Sequence, residues 1–209
     1  MNAEAMARYF ETALAYVTKH YPDELKYVEQ RKFSSITAFI FFEEYVFVVL
    51  NSGMKYKVAM KMYKNFMKNA DLNTIGHLGK RKAIGEAMHN YADWFLKLQA
   101  TEDKLAFLDS LPFIGKVTKY HLARNLGLDY AKPDRHLVRL AQISKYACAE
   151  KKCKCAGKGE RVIYCTCKFN CVADMCSALA TKFNLRIGTV DFVLWAFLKD
   201  GVNGLLNKT

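Results

Sequence analysis

The sequence predicts a mainly α-helical fold, and three observations predict it. Apolar residues recur three and four positions apart along most of the 209 residues, which is the period of an amphipathic helix and not the alternation of a strand. Arg161–Tyr164 is the single good strand candidate. Only three prolines occur, and neither an internal repeat nor a low-complexity linker divides the chain. Residues 1–209 therefore read as one domain, long enough to bury one substantial core or two small lobes.

The elements follow in order. Residues 3–19 set Ala7, Phe10, Leu14 and Val17 along one helical face, and Pro22 breaks this stretch. Residues 23–31 form a second, short helix. Ser34 or Ser35 is placed to cap a third that runs to about Leu50. Its segment Phe39–Leu50 is very apolar, yet Glu43 and Glu44 mark it as a core helix and not a membrane span. Asn51-Ser52-Gly53 ends it. Lys57–Lys68 is basic and helical, with Val58, Met62 and Phe66 expected inward as core. Asn73–Gly79 reads as a loop and Arg81–Leu98 as a long helix. Lys104–Leu111 is a short helix with Leu105, Leu108 and Leu111 on one face, stopped by Pro112. Gly115 is expected to permit the tight backbone that follows. Lys116–Leu126 is helical again, and a further helix begins at Asp134, which sits at its N-cap.

Charge narrows the partners. Lysine and arginine total 32 against 20 aspartates and glutamates, a net charge of +12. Such a surplus draws polyanions, and nucleic acid is the expected partner. No uninterrupted apolar run reaches the ~18 residues of a membrane span. Met1–Tyr16 carries early acids and no cleavable apolar segment, so neither membrane insertion nor secretion is expected.

Leu111-Pro112-Phe113-Ile114-Gly115 and Lys132-Pro133-Asp134-Arg135-His136 are the segments that carry chemistry. A helix, a hairpin and a second helix surround the first. Free amide N–H groups at the start of a helix suit a phosphate oxygen. Lys116 and Lys119 stand in that expected first turn, where cations oppose the helix dipole unless an anion sits nearby.

Leu-Pro-Phe-Ile-Gly resembles the Leu-Pro-Gly-Val-Gly hairpin of the helix-hairpin-helix (HhH-GPD) DNA glycosylase superfamily. In that family a catalytic aspartate in a Val-Asp-x-His context follows the hairpin, and here Asp134 follows Gly115 by 19 residues with His136 at the histidine position. The resemblance extends over most of the chain. Phe42–Met54 is similar to the early helix ending in Leu-Gln-Gln, here Leu50-Asn51-Ser52. Ile75–Ala83 is similar to the turn and helix before the hairpin, and Val190–Trp195 to a closing helix. The resemblance implies a two-lobed helical DNA-glycosylase-like fold and an enzyme of base excision. It makes Asp134 the catalytic residue, and Phe113, Gly115, Lys116, Val117, Lys119 and Arg135 the DNA contacts. Asn51, Ser52 and His136 stand at its base pocket.

Two departures limit what carries over. Phe113 replaces the hairpin's first glycine. The family's Schiff-base lysine, two residues past the last hairpin glycine, is here Val117. A shift of one residue turns a helical side chain by about 100°, so neither Lys116 nor Lys119 replaces it, and a monofunctional DNA N-glycosylase acting through water is expected. The early Gln-Gln is also absent. Lys-Pro-Asp-Arg-His and this absence are similar to phage-associated proteins of the alpha-glutamyl/putrescinyl thymine pyrophosphorylase group, implicated as amino acid:DNA transferases in thymine hypermodification. That resemblance implies action at the base's 5-substituent. A non-catalytic reader of modified DNA is the third reading. A monomer is expected, in the cytoplasm of a bacterium or an infected host cell.

All seven cysteines lie between residues 145 and 176, a cysteine-rich insert. Cys153-Lys154-Cys155 and Cys165-Thr166-Cys167 form paired Cys-x-Cys motifs across a glycine-containing turn, and surrounding lysines favour thiolates. Clustered thiolates suit tetrahedral Zn²⁺, with Cys153, Cys155, Cys165 and Cys167 as ligands and Cys148 and Cys171 as alternates. Cys176 reads as buried. An iron–sulfur cluster is the alternative metal. Some superfamily members hold one with four cysteines near the C-terminus, but at a wider spacing. An odd count without an export signal disfavours disulfides.

Overall fold

The computed structural model describes residues 1–144 and 166–201. Within them the periodic apolar stretches become ten α-helices: α1 (Ala3–His20), α2 (Pro22–Gln30), α3 (Ala38–Asn51), α4 (Tyr56–Asn69), α5 (Leu78–Ala100), α6 (Lys104–Ser110), α7 (Thr118–Asn125), α8 (Arg135–Gln142), α9 (Thr166–Phe183) and α10 (Ile187–Lys199). No strand occurs among the described residues, and the strand candidate Arg161–Tyr164 lies outside them. None of the described helices is long and apolar enough to cross a membrane.

The chain forms two compact units, one of Met1–Gln30 with Asp129–Thr209 and one of Arg31–Leu128. In the first, α10 is buried on nearly every side because its sequence is apolar around the whole helix. It packs against α1, α2, α8 and α9. Met6, Phe10, Val17, Leu137, Val172, Met175, Val193 and Leu194 fill that core. In the second unit α3 takes the central place, against α4, α5 and α7, and Phe41, Tyr45, Leu50, Phe66, Ile84, Leu98, Leu108 and Leu122 form its core.

The differences from the sequence reading concern helix ends and one face. Thr37 caps α3, its hydroxyl accepting the Ile40 N–H at 3.2 Å, while Ser34 and Ser35 lie in a short 3₁₀ turn. Pro22 breaks α1 but also begins α2, since a first-turn proline lacks only an N–H that has no helical partner there. The Asn73–Gly79 loop is shorter than its composition indicates, because His77 caps α5 through Nδ1. Val58 is 50% exposed and Ala59 takes the inward position with Phe66. One residue along a helix rotates the side chain by about 100°, which carries Val58 off the buried arc. The helix expected from Lys116 begins at Thr118, two residues later, which leaves Lys116 before it.

Both ends of the second unit meet at Gly127. Arg31 Nε donates to the Asn125 carbonyl at 3.0 Å, and its Nη2 to Glu44 at 2.9 Å. Asn125 Nδ2 donates to the other Glu44 oxygen at 2.9 Å. Glu44, a charge inside an apolar helix, is thus paired as burial requires.

Candidate functional site

In the second unit, α6 and α7 are joined by residues 111–117. Leu111 and Ile114 are buried and anchor this connection, while Phe113, Gly115 and Lys116 are exposed. The Ile114 N–H donates to the Leu111 carbonyl at 3.1 Å, which closes the turn. The Tyr45 hydroxyl of α3 donates to the Pro112 carbonyl and ties the turn to the core. Burial raises the Tyr45 pKa, so the phenol remains a donor.

The residue of this connection in the left-handed backbone region is Phe113, at φ 62°, whereas the tight backbone was expected at and after Gly115. The turn reverses two residues earlier than the glycine indicates. A bulky L residue is disfavoured there because its Cβ crowds the following carbonyl, but the ring finds partners. It stands edge-on to His77 at 5.4 Å between centroids, and Lys80 Nζ lies 5.9 Å from its centre. Truncating the ring in two ways isolates the backbone cost. Phe113→Gly is expected to be more stable than Phe113→Ala by about 1 kcal/mol in denaturant unfolding. The reverse order would rule out a left-handed backbone here.

Neither backbone angle nor space requires a glycine at position 115. A Cβ there meets only Thr118 Oγ1, at 3.9 Å. Its N–H already donates to that hydroxyl at 2.7 Å, so the anion-binding amides are fewer than the sequence indicates. Those of Lys116, Val117 and Thr118 remain, ahead of the first helical bond. Lys119 is paired with Asp109 at 3.0 Å, which links α7 to α6. Lys116 is exposed and is the cation that the turn presents. Val117 is the N-cap residue of α7 and makes no side-chain cap.

Asn51 and Ser52 close α3 in the same unit, both half-buried. Sequence reasoning missed what holds them. Lys80, only 3% exposed, donates through Nζ to the Leu50 carbonyl at 2.8 Å and the Ser52 carbonyl at 2.6 Å. The ammonium satisfies carbonyls that the end of α3 leaves without helical partners. Burial lowers the Lys80 pKa. Position 80 looks like one more surface lysine in a basic stretch, so no local signal reveals this role.

In the first unit, Asp134 is the N-cap of α8, as expected. Its Oδ1 accepts the His136 N–H at 2.9 Å and the Leu137 N–H at 3.1 Å, while Oδ2 takes no hydrogen bond among the described residues. The carboxylate is therefore fixed by one oxygen, and the other is available. Arg135 is exposed on the first turn of α8, and His136 is half-buried beside it. Burial lowers the His136 pKa, with Arg135, Arg139 and Lys132 acting in the same direction and Asp134 opposing them. Burial and the surrounding cations thus favour the neutral imidazole.

The loop before Asp134 is held by α10. Buried Asp191 accepts the Lys132 N–H through Oδ1 at 2.9 Å, and Asp129 accepts the Gly188 N–H at 3.1 Å. Asp191 is a positioning residue that the sequence reading passed over as part of a closing helix. One signal was present: it is the single charge in the run Ile187–Leu198, and a buried charge needs a partner.

Of the cysteine candidates, Cys148, Cys153, Cys155 and Cys165 lie outside the described residues. Cys167 falls within α9. Cys171 lies in the core of the first unit, as does Cys176, whose thiol burial pushes well above its ordinary pKa. Among the described residues, no three His, Cys, Asp or Glu side chains are grouped so as to hold a metal ion.

No protein-family model matches the sequence, and no curated protein matches it. Similar solved structures include the 8-oxoguanine DNA glycosylase of Thermotoga maritima, with a TM-score of 0.68 and 17% identity over 94% of this chain and 97% of that one. The 8-oxoguanine DNA glycosylase of Methanocaldococcus jannaschii is similar with a TM-score of 0.65 and 18% identity, over 93% and 94% of the two chains. The ten described helices are thus arranged in a fold similar to that of these two DNA glycosylases over nearly the whole length of both.

Proposed function

We propose that this protein is a DNA-binding base-processing enzyme, a monofunctional DNA N-glycosylase that removes a modified or damaged base with Asp134. The observation that carries the reading is the seat of that carboxylate: two helix amides hold Oδ1 and Oδ2 is left for substrate. Its support is the fold, similar to two solved 8-oxoguanine DNA glycosylases, and the charge of +12. The helix-hairpin-helix formed by α6, α7 and residues 111–117 holds phosphates through the Lys116 and Val117 amides and the Lys116 ammonium.

The chemistry follows from a fixed carboxylate. The target base leaves the duplex stack. As the bond from C1′ to the base nitrogen breaks, its electron pair departs with the base and positive charge grows on the sugar, which Asp134 stabilises. A water adds to C1′ and loses its proton to Asp134. The departing base takes up a proton, and an abasic site remains. With Val117 at the position of the family's lysine, water is the nucleophile.

Duplexes carrying 8-oxoguanine, uracil or an alkylated base test this, 8-oxoguanine first because both solved neighbours are named for it. Abasic sites that break only under hot alkali are the expected product. Strand nicking without alkali, with borohydride trapping of protein on DNA, would overturn the monofunctional reading. The context Lys132–His136 and the Asn51-Ser52 pair support a second reading, transfer of an amino acid to a 5-substituted thymine. Mass gain on DNA pyrophosphorylated at hydroxymethyluracil, with free amino acids supplied, would decide for it. Binding without product in either assay would leave a non-catalytic reader of modified DNA.

A structural zinc ion held by Cys153, Cys155, Cys165 and Cys167 belongs to the same proposal and rests on their spacing. Elemental analysis of purified protein is expected to find about one zinc per chain, lost when Cys153 and Cys155 are both changed to Ser. A brown protein containing iron and sulfide would reassign the cysteines.

A further inference from the structure

We propose that one face of α4 is a second nucleic-acid contact, a lysine track that grips the phosphodiester backbone apart from the hairpin. The inference rests on the DNA-binding reading above and extends it. Helix α4 contains Lys57, Lys61, Lys64 and Lys68 and no aspartate or glutamate. Steps of four, three and four residues return each lysine to one side. At about 100° per residue, all four fall within an arc of about 60°. All four are exposed, and none is part of an ion pair among the described residues.

This pattern works against the helix that carries it. Like charges three and four residues apart destabilise a helix. Lys55 at the N-cap and Lys57 in the first turn also oppose the helix dipole, with neither a side-chain cap nor an acidic residue to offset them. The opposite face, Ala59 and Phe66, is buried in the core, so the track is held rigid from behind. A helix face without an apolar stripe does not insert into lipid, but a row of point charges suits phosphates.

The length agrees. Lys57 to Lys68 spans about 16 Å at 1.5 Å per residue, close to the axial rise of about five nucleotides of one strand at 3.4 Å each. Lysine contacts of this kind position the duplex without reading its bases. Ser52, at the end of α3, precedes the helix by four residues, and Lys80 fixes that turn. The track therefore leads away from a rigid point that the base-pocket reading already involves.

The salt dependence of binding tests the proposal. The full chain and a variant with Lys57, Lys61, Lys64 and Lys68 all changed to Gln are titrated with an undamaged duplex, from low to moderate salt. Each phosphate contact adds about 0.9 to the slope of log K against log salt. The variant is expected to lose about 3 to 4 of that slope and about 100-fold or more in affinity at low salt. The loss should be equal for all sequences, with the thermal midpoint unchanged or raised. A control changes the scattered exposed residues Lys19, Lys26, Lys97 and Lys182 to Gln and carries the same net charge. It is expected to lose less than one unit of slope. Equal losses in the two variants would overturn the track, as would a track variant that keeps the parent slope. If the parent protein shows no salt-dependent DNA binding, or binds phosphatidylserine vesicles in place of DNA, the DNA reading itself falls. A parent that binds DNA beside an unaffected track variant removes only the track.

Discussion

Asp134→Asn is expected to lower the rate of base release by about 10²–10⁴-fold while affinity for duplex DNA stays within about threefold of the parent. The substitution is nearly isosteric and spares the structural role. The Asn Oδ1 still accepts the His136 and Leu137 amides that Asp134 accepts at 2.9 and 3.1 Å, and Asn ranks with Asp as an N-cap residue. What is lost is the negative charge on the second oxygen, the one without a hydrogen bond. Asp134→Ala adds the loss of the cap, worth about 1 kcal/mol. If Asp134 only capped α8, Asn would retain activity and Ala would be merely less stable. If it acts on the sugar, both are inactive and only Ala is destabilised. Single-turnover excision and thermal melts of the two variants separate these cases. An active Asn variant would sink the assignment.

Gly127→Ala is expected to destabilise the protein by about 3 kcal/mol through combined backbone strain and overpacking. Gly127 has φ 77°, and a Cβ there would lie 2.8 Å from the Lys32 carbonyl carbon and the Phe33 nitrogen, and 2.9 Å from the Arg31 oxygen. These are backbone atoms, so no side chain can turn aside. Arg31, Glu44 and Asn125 tie the same two segments together, and relieving the overlap means giving up those bonds. The thermal midpoint should fall by about 6–12 °C for a chain of this size. An unchanged midpoint would mean that the ends of the second unit do not close around Gly127.

Much of the molecule was legible in the residues. The order of α1 to α8 follows from apolar periodicity and local helix signals, properties set by which face can be buried, whereas the extent of α9, much of it within the stretch read as a cysteine-rich insert, does not. Asp134 reads as an N-cap because a short acidic side chain ahead of Arg135-His136-Leu137 meets amides that a helix start always leaves open. Signals weakened where geometry depends on a distant neighbour. Thr37 caps α3 although Ser34 and Ser35 were equally plausible in composition. Val58 and Ala59 exchanged places because a one-residue phase error in a helix is large while its effect on the sequence pattern is small. Between α6 and α7, Gly115 drew the expectation of a tight backbone after it, but the left-handed residue is Phe113, a position where composition argues against it.

The helical class, the basic character and the candidate acid at Asp134 were determined by the sequence, because each depends on residues close together in the chain. Tertiary structure decided which polar groups serve and which merely decorate. Lys80 became the clamp on the end of α3, Asp191 the support of the loop before Asp134, and Tyr45 the tether of the turn at Pro112. Their partners stand 28 to 67 residues away. No local pattern encodes a partner at that distance, since only the packing of helices brings a buried polar side chain and an unpaired backbone group together and makes their pairing obligatory.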